Sequence, residues 1–171
     1  LEELSVYFHI SKSEKFSILK QIGLETTGAL TFTDSEVYLS NDSFEEITVE
    51  ELEEKITHRD EEPIHIWHGK PRLSVAGVQT KLPITILEDK LGFGEGNICS
   101  THILKFNRAG ENVVSNEFIS MKLALAMGYN VANVACVKIA NQYVLFVNRF
   151  DREIINSNLI KRRHIIDSVQ A

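Results

Sequence analysis

One long helical pattern, Val114 to Met127, lies between two pairs of short β-branched runs, and that order constrains the fold of this chain more than any other feature. Phe118, Met121 and Leu125 recur on one side of the pattern, and Gly128 stands where a helix would close. Upstream, Leu82 to Leu87 alternates and is rich in β-branched residues, and Ile98 to Phe106 reads as a second strand. Gly92, Gly94 and Gly96 mark a hairpin turn between them. Downstream, Val134 to Ile139 and Tyr143 to Val147 read as two strands joined by the tight Ala140-Asn141-Gln142 connection. Ile64 to Trp67 is a further strand-like run. A doubly wound parallel sheet needs a crossover helix between successive strands, and one helix cannot serve them all. The expected class is therefore α+β, an antiparallel sheet with a helix packed on it.

The stretch before residue 63 has a different texture. Ser13 can cap a short helix carrying Phe16, Leu19 and Ile22, with Gly23 as its stop, and Gly28 to Phe32 reads as a short strand. Thr48 and Glu51 form a T-x-x-E capping box ahead of Val49, Leu52 and Ile56 at helical spacing. From Asp34 to Glu62 the only basic residues are Lys55 and Arg59, so the carboxylates read as a solvated face rather than a metal site. His58 to Pro63 is polar and ends in proline, which places a boundary there. Residues 1–62 are thus expected to form a small α+β subdomain, followed by the sheet-and-helix unit over 63–148.

Charge and cysteine usage narrow the function classes. The net charge of −6 argues against a chain built to coat nucleic acid. Cys99 and Cys136 form no C-x-x-C pair and read as small core residues in a reducing compartment, so a cytoplasmic location is expected. No apolar run approaches the roughly 20 residues of a membrane span. The start has no basic or apolar signal region, and the expectation is no membrane association. Leu1 is not an initiator methionine, which leaves room for residues upstream.

Several segments carry candidate chemistry. Gly92-Phe93-Gly94-Glu95-Gly96 lacks the G-x-G-x-x-G spacing, since position 97 is Asn, and it leads into a strand; it reads as a mobile turn. Ser74 to Lys81 is more promising. Small residues let successive backbone N–H groups approach an anion, and Lys81 adds positive charge. The competing reading is a plain connection between strands. Lys105 ends the apolar run Thr101 to Leu104; it either snorkels to water or pairs with Glu117 near the start of the helix, as a phosphate-holding lysine does. Phe146 to Arg152 turns from apolar to charged within a few residues. An adenine could pair with backbone at such an edge, or the segment is simply a strand end with solvated arginines. His58, His65, His68, His102 and Cys99 lack zinc spacing, so no metal site is expected. Lys161 to His164 reads as a solvated basic face.

Taken together, Arg72 to Lys81, Ser100 to Lys105, Asn116-Glu117-Phe118 and Val147 to Arg152 resemble, in this order and spacing, the HipA family of toxin kinases. Phe16 to Leu30 is similar to that family's N-terminal subdomain, and Arg163 to Ala171 to the start of its helical C-lobe. The resemblance implies a kinase-like N-lobe behind the small subdomain, with 149–171 as hinge and the start of a truncated C-lobe. It implies a serine/threonine kinase toxin of a bacterial toxin–antitoxin pair, acting in the cytoplasm and linked to persistence. ATP with Mg²⁺ would be the cofactor. Val75, Ala76, Gly77, Val78, Gln79, Thr80 and Lys81 would form the phosphate loop, and Lys105 would be the phosphate-pairing lysine with Glu117 as partner. Asn148 and Phe150 would belong to the adenine-contacting hinge, and Ser74 would be the autophosphorylation site. The implied substrate is an aminoacyl-tRNA synthetase, and the implied partner a helix-turn-helix antitoxin that carries the DNA contacts. Phosphoryl transfer also needs a catalytic Asp and the Mg²⁺ ligands. In the family these lie in the C-lobe, so no catalytic residue is expected within this chain, and the chain alone is expected to be inactive. The alternatives are a non-catalytic lobe that binds or neutralises a partner kinase, and a plain α+β domain with no nucleotide site.

Overall fold

Cross-strand pairing sorts the apolar residues into two layers. The computed structural model describes residues 7–11, 13–23, 25–33, 42–72, 79–108 and 110–166. Among the described residues, three helices, α1 (Lys15–Ile22), α2 (Val49–Thr57) and α3 (Val113–Ala126), accompany ten strands. The strands are β1 (Ser43–Ile47), β2 (Ile66–Trp67), β3 (Lys70–Pro71), β4 (Lys81–Leu87), β5 (Lys90–Glu95), β6 (His102–Phe106), β7 (Val134–Ile139), β8 (Gln142–Asn148), β9 (Arg152–Asn156) and β10 (Leu159–Arg162). Six of them form one sheet in the order β1-β5-β4-β6-β8-β7, with every pair antiparallel. The expected α+β class, an antiparallel sheet with a helix packed on it, is what the chain adopts.

Register decides which side chain faces which layer. Leu82 lies opposite Leu104, and Phe106 opposite Val144. These residues form a core with Ile84 and Phe93, with Leu52 and Ile56 of α2, and with Ile64 and Trp67. Alternation sends the intervening residues to the other face. There Leu145 and Val147 pack under α3, against Val114, Phe118 and Met121. β1 and α2, which precede the His58–Pro63 segment, share the first core with strands that follow it.

The capping box at α2 forms in full. The Thr48 hydroxyl accepts from the Glu51 amide, and the Glu51 carboxylate accepts from the Thr48 amide. Thr48→Ala is expected to cost about 1 kcal/mol, read as a lower urea midpoint at unchanged slope.

Other expectations are corrected. The β4–β5 turn is made by Glu88 and Asp89, both at positive φ, while Gly92 and Gly94 lie inside β5. What those glycines supply is clearance. A Cβ on Gly94 would stand 2.0 Å from the Ile98 carbonyl oxygen, and one on Gly92 2.3 Å from that of Glu45. Gly92 and Gly94 are therefore packed strand rather than mobile turn, while Gly96, at φ 69°, lies in the turn that follows β5. Gly94→Ala is expected to destabilise by about 1–3 kcal/mol through overpacking, measured by denaturant unfolding.

Ser13 does not cap α1. Glu14 holds the N-cap position without a side-chain bond, and the Ser13 hydroxyl lies 2.8 Å from that of Ser11. Ile18 is the buried residue of that helix, while Phe16 is exposed. Gly28 to Phe32 is not a strand; the Phe32 amide donates to the Gly23 carbonyl and closes a loop back onto α1. On α3, Leu125 is exposed and Val114 takes its place as the buried anchor. Strand β6 begins only at His102. Among the described residues, no helix is long and apolar enough to cross a membrane.

Candidate functional site

The pleat that buries Leu104 turns Lys105 toward α3. Lys105 sits opposite Lys81 of β4 on one side and Leu145 of β8 on the other. The start of α3 is fixed by Asn107, whose Oδ1 accepts from the Val114 amide at 2.9 Å, and by the complete burial of Val114. Glu117 follows one helical turn later, and Lys105 Nζ lies 2.5 Å from its Oε1. The two side chains are 21% and 26% exposed, so the pair is open to solvent on one side. The alternative, in which Lys105 merely snorkels to water, does not hold.

Lys81 completes the local charge set. Burial and the positive charge of Lys105 lower its pKa, and Glu117 partly opposes them. Two ammonium groups thus lie on one face of the sheet beside the Glu117 carboxylate. A polyanion there would relieve the repulsion between the lysines. Ser74 and Val75 to Val78 lie outside the described residues. Gln79 and Thr80 lead directly into β4, and the Thr80 carbonyl accepts from the Phe106 amide at 3.1 Å. The end of the candidate phosphate loop is therefore tied to the strand that carries Lys105.

Asn148 ends β8 opposite His102, three residues along β6 from Lys105, a separation of about 10 Å at strand rise. Its amide donates to the Asn133 carbonyl, and the next amide, of Arg149, donates to the Thr101 carbonyl. The side chains of Asn148 and Phe150 are exposed.

Arg149 and Arg152 are not solvated. Both guanidinium groups are buried, with side chains 2% and 1% exposed. Arg149 donates to both oxygens of Asp151, at 3.0 and 2.7 Å, and to the Ser100 hydroxyl at 2.7 Å. Arg152 donates to Asp151 Oδ2 at 2.8 Å and to the Gly28 and Thr26 carbonyls. Glu25 closes the cluster, 3.2 Å from Arg149, 3.4 Å from Arg152 and 3.7 Å from Arg162. Arg162 is mostly buried here, so the basic Lys161–His164 segment is only partly a solvated face. Sequence reasoning missed this network because Glu25 and Arg149 are 124 positions apart. The one local hint was three charged residues clustered at the end of an apolar strand.

Burial alone would raise the pKa of Asp151. The Arg149 hydrogen bonds and charge, the Gly28 amide and Arg152 outweigh it and hold the carboxyl below the usual carboxylate range. A lowered native pKa adds stability above the ordinary value near 4, and that stability is lost as pH falls through the native value. The contribution of Asp151 to thermal stability is therefore expected to be constant with pH near neutrality and to be lost only below about pH 4. An Asp151-dependent drop between pH 8 and 6 would contradict this.

The histidines do not converge. His68 pairs with Glu45, and His102 lies 2.8 Å from the Thr101 hydroxyl. Among the described residues, no group of three or more His, Cys, Asp or Glu is placed to hold a metal. A cavity of about 370 Å³ opens where β4 and β5 part beyond the Thr85–Gly92 pair, and Arg72, Phe93, Glu25 and Ser100 are among its lining residues. Neither Lys81 nor Lys105 lines it.

The family described as HipA-like C-terminal domain matches residues 73–171. The serine/threonine-protein kinase toxin HipA of Shewanella oneidensis is 43% identical over 163 residues, covering 95% of this chain and 37% of that protein. A solved structure, titled as the Shewanella oneidensis MR-1 toxin–antitoxin system HipA, HipB and operator DNA complex, superposes with a TM-score of 0.78 at 41% identity. That match covers 99% of this chain and 40% of the other. The chain thus spans less than half the length of these relatives. With the Lys105–Glu117 pair formed and likeness extending along almost its whole length, the chain belongs to the HipA family.

Proposed function

We propose that this chain is the nucleotide-holding front of a HipA-type serine/threonine protein kinase toxin in a toxin–antitoxin system. The observation that carries the reading is the Lys105–Glu117 pair, held beside Lys81 where the Ser74–Lys81 loop joins β4. Lys105 and Lys81 would neutralise the phosphates of ATP, and Glu117 would aim Lys105 rather than let it follow solvent. The residues present fit a triphosphate: the Lys81 and Lys105 amines lie on one face, with a loop end fixed beside them. The roughly 10 Å from Lys105 to Asn148 leaves room for a nucleoside between phosphate and hinge. Magnesium would enter with the nucleotide and supply charge neutralisation. Its protein ligands and the catalytic base are proposed to lie in the part of the relatives that this chain does not span.

Ser74 is proposed as an autophosphorylation site, since a dianion added to a phosphate-binding loop repels the nucleotide. The proposed setting is the cytoplasm. The proposed protein partner is an antitoxin like the one in the HipA–HipB–DNA complex, with DNA reached through it, and the proposed substrate class is aminoacyl-tRNA synthetases.

The test is an ATP–Mg²⁺ titration of the whole gene product, followed by melting temperature. A rise that grows with ATP concentration is expected, together with transfer of labelled γ-phosphate to protein. No shift at millimolar ATP would leave only a binding module. Lys81→Met is expected to weaken ATP by about tenfold, the loss of one charge-assisted contact, measured in the same titration.

A further inference from the structure

The network around Arg149 is larger than a strand end needs. Three guanidinium groups, from Arg149, Arg152 and Arg162, share two carboxylates, Asp151 and Glu25. Asp151 is two residues from Arg149 and belongs to the same turn. Glu25 arrives from the far end of the chain, in the loop that follows α1.

We propose that Glu25 is a positioning residue of the nucleotide site, acting through Arg149 on the Asn148–Phe150 connection. This rests on the reading of that connection as the adenine-contacting hinge.

Arg149 is the middle residue of the connection. Its amide is held by the Thr101 carbonyl, and its side chain is held from the opposite direction by the N-terminal loop. Ser100 locks the two together: its hydroxyl donates to Glu25 Oε1 at 2.7 Å and accepts from Arg149 Nη1 at 2.7 Å. The loop bearing Glu25 is itself fixed to the connection through its backbone. The Gly28 amide donates to Asp151 at 2.9 Å, and the Gly28 and Thr26 carbonyls accept from Arg152. Gly28 has φ of 76°, and this backbone conformation turns its amide to the carboxylate without the strain a side chain would add. Without the charge of Glu25, Arg149 and Arg152 are left to share Asp151. Repulsion between the buried arginines is then less compensated, and Arg149, whose backbone belongs to the hinge, loses one of the groups that hold it. The phosphate end, at Lys105 and Lys81, shares no residue with this cluster.

That separation defines the experiment. Glu25→Gln in the whole gene product is compared with wild type for affinity toward ATP–Mg²⁺ and toward inorganic triphosphate–Mg²⁺. The expected result is about a tenfold loss for ATP with triphosphate affinity unchanged, because only the base end is displaced. A merely structural Glu25 would lower the nucleotide-free melting temperature and leave the ratio of the two affinities as in wild type, and that result would overturn the proposal. Lys105→Ala is the control. If it loses both ligands while Glu25→Gln keeps the wild-type ratio, the positioning role fails and the nucleotide site stands. If Lys105→Ala loses neither, the nucleotide site itself fails, and the positioning role with it. Should Glu25→Gln not accumulate as folded protein, Ser100→Ala asks the same question, with a twofold to threefold ATP-selective loss expected, about half the free-energy effect or less.

Discussion

Lys105→Ala in the whole gene product is expected to lower phosphoryl transfer by about 100-fold or more while leaving the fold almost untouched. The reason is a contrast of magnitudes. The Lys105–Glu117 pair is partly exposed on both sides, and pairs of that kind contribute about 0–1 kcal/mol to stability. In the proposed closed site the same ammonium would face the charge of a transferring phosphoryl group, where removing one electrostatic contact costs about 10²–10³ in rate. Glu117→Gln should follow in the same direction with a smaller loss, since the lysine remains but is no longer aimed. Steady-state kinetics on a protein substrate and a urea titration together decide this. A variant that keeps wild-type turnover removes the role assigned to Lys105. One that unfolds shows instead that the pair is structural.

Asp151→Asn is expected to do the opposite, losing about 3–5 kcal/mol of stability, a large part of the roughly 5–15 kcal/mol that holds a typical domain together. The carboxylate meets Arg149 through two hydrogen bonds and Arg152 through a third, with both arginine side chains almost fully buried. Removing one member of a buried ionic cluster leaves uncompensated charge, which costs far more than the intact cluster contributes. The exposed Lys90–Glu46 pair serves as the comparison, because at 2.7 Å its geometry is just as close while both side chains are half exposed. Glu46→Gln should cost under about 1 kcal/mol. Denaturant unfolding of the two variants separates burial from distance. Equal losses would mean that the Arg149 cluster is as well solvated as the surface pair.

The readings that succeeded rest on short-range periodicity and local chemistry. Leu82 to Leu87 alternates with the period of a strand, Val134 to Ile139 and Tyr143 to Val147 are short apolar runs about a tight connection, and each lies in a strand. Thr48 and Glu51 specify a helix start within four residues, and both reciprocal bonds form. Readings that failed involved a competing partner out of sight. Gly92 and Gly94 resemble turn residues until β1 and Ile98 are brought against them, when the same absence of a side chain becomes clearance within a sheet. Arg149 and Arg152 read as solvated because nothing nearby in the chain explains their burial. The strands β1, β9 and β10 went unread, and the β9–β10 hairpin leaves Ile154, Ile155 and Leu159 exposed, so no half-buried alternation marks it.

The amino-acid sequence alone determined the antiparallel α+β class and the helix that carries Glu117, because each is written in spacings of a few positions. Only the tertiary structure decided that Lys105 meets Glu117 instead of water, that Lys81 stands opposite it, and that Glu25 reaches Arg149. Those outcomes depend on which strand pairs with which and in what register, and pairing across 124 positions leaves no local pattern to read.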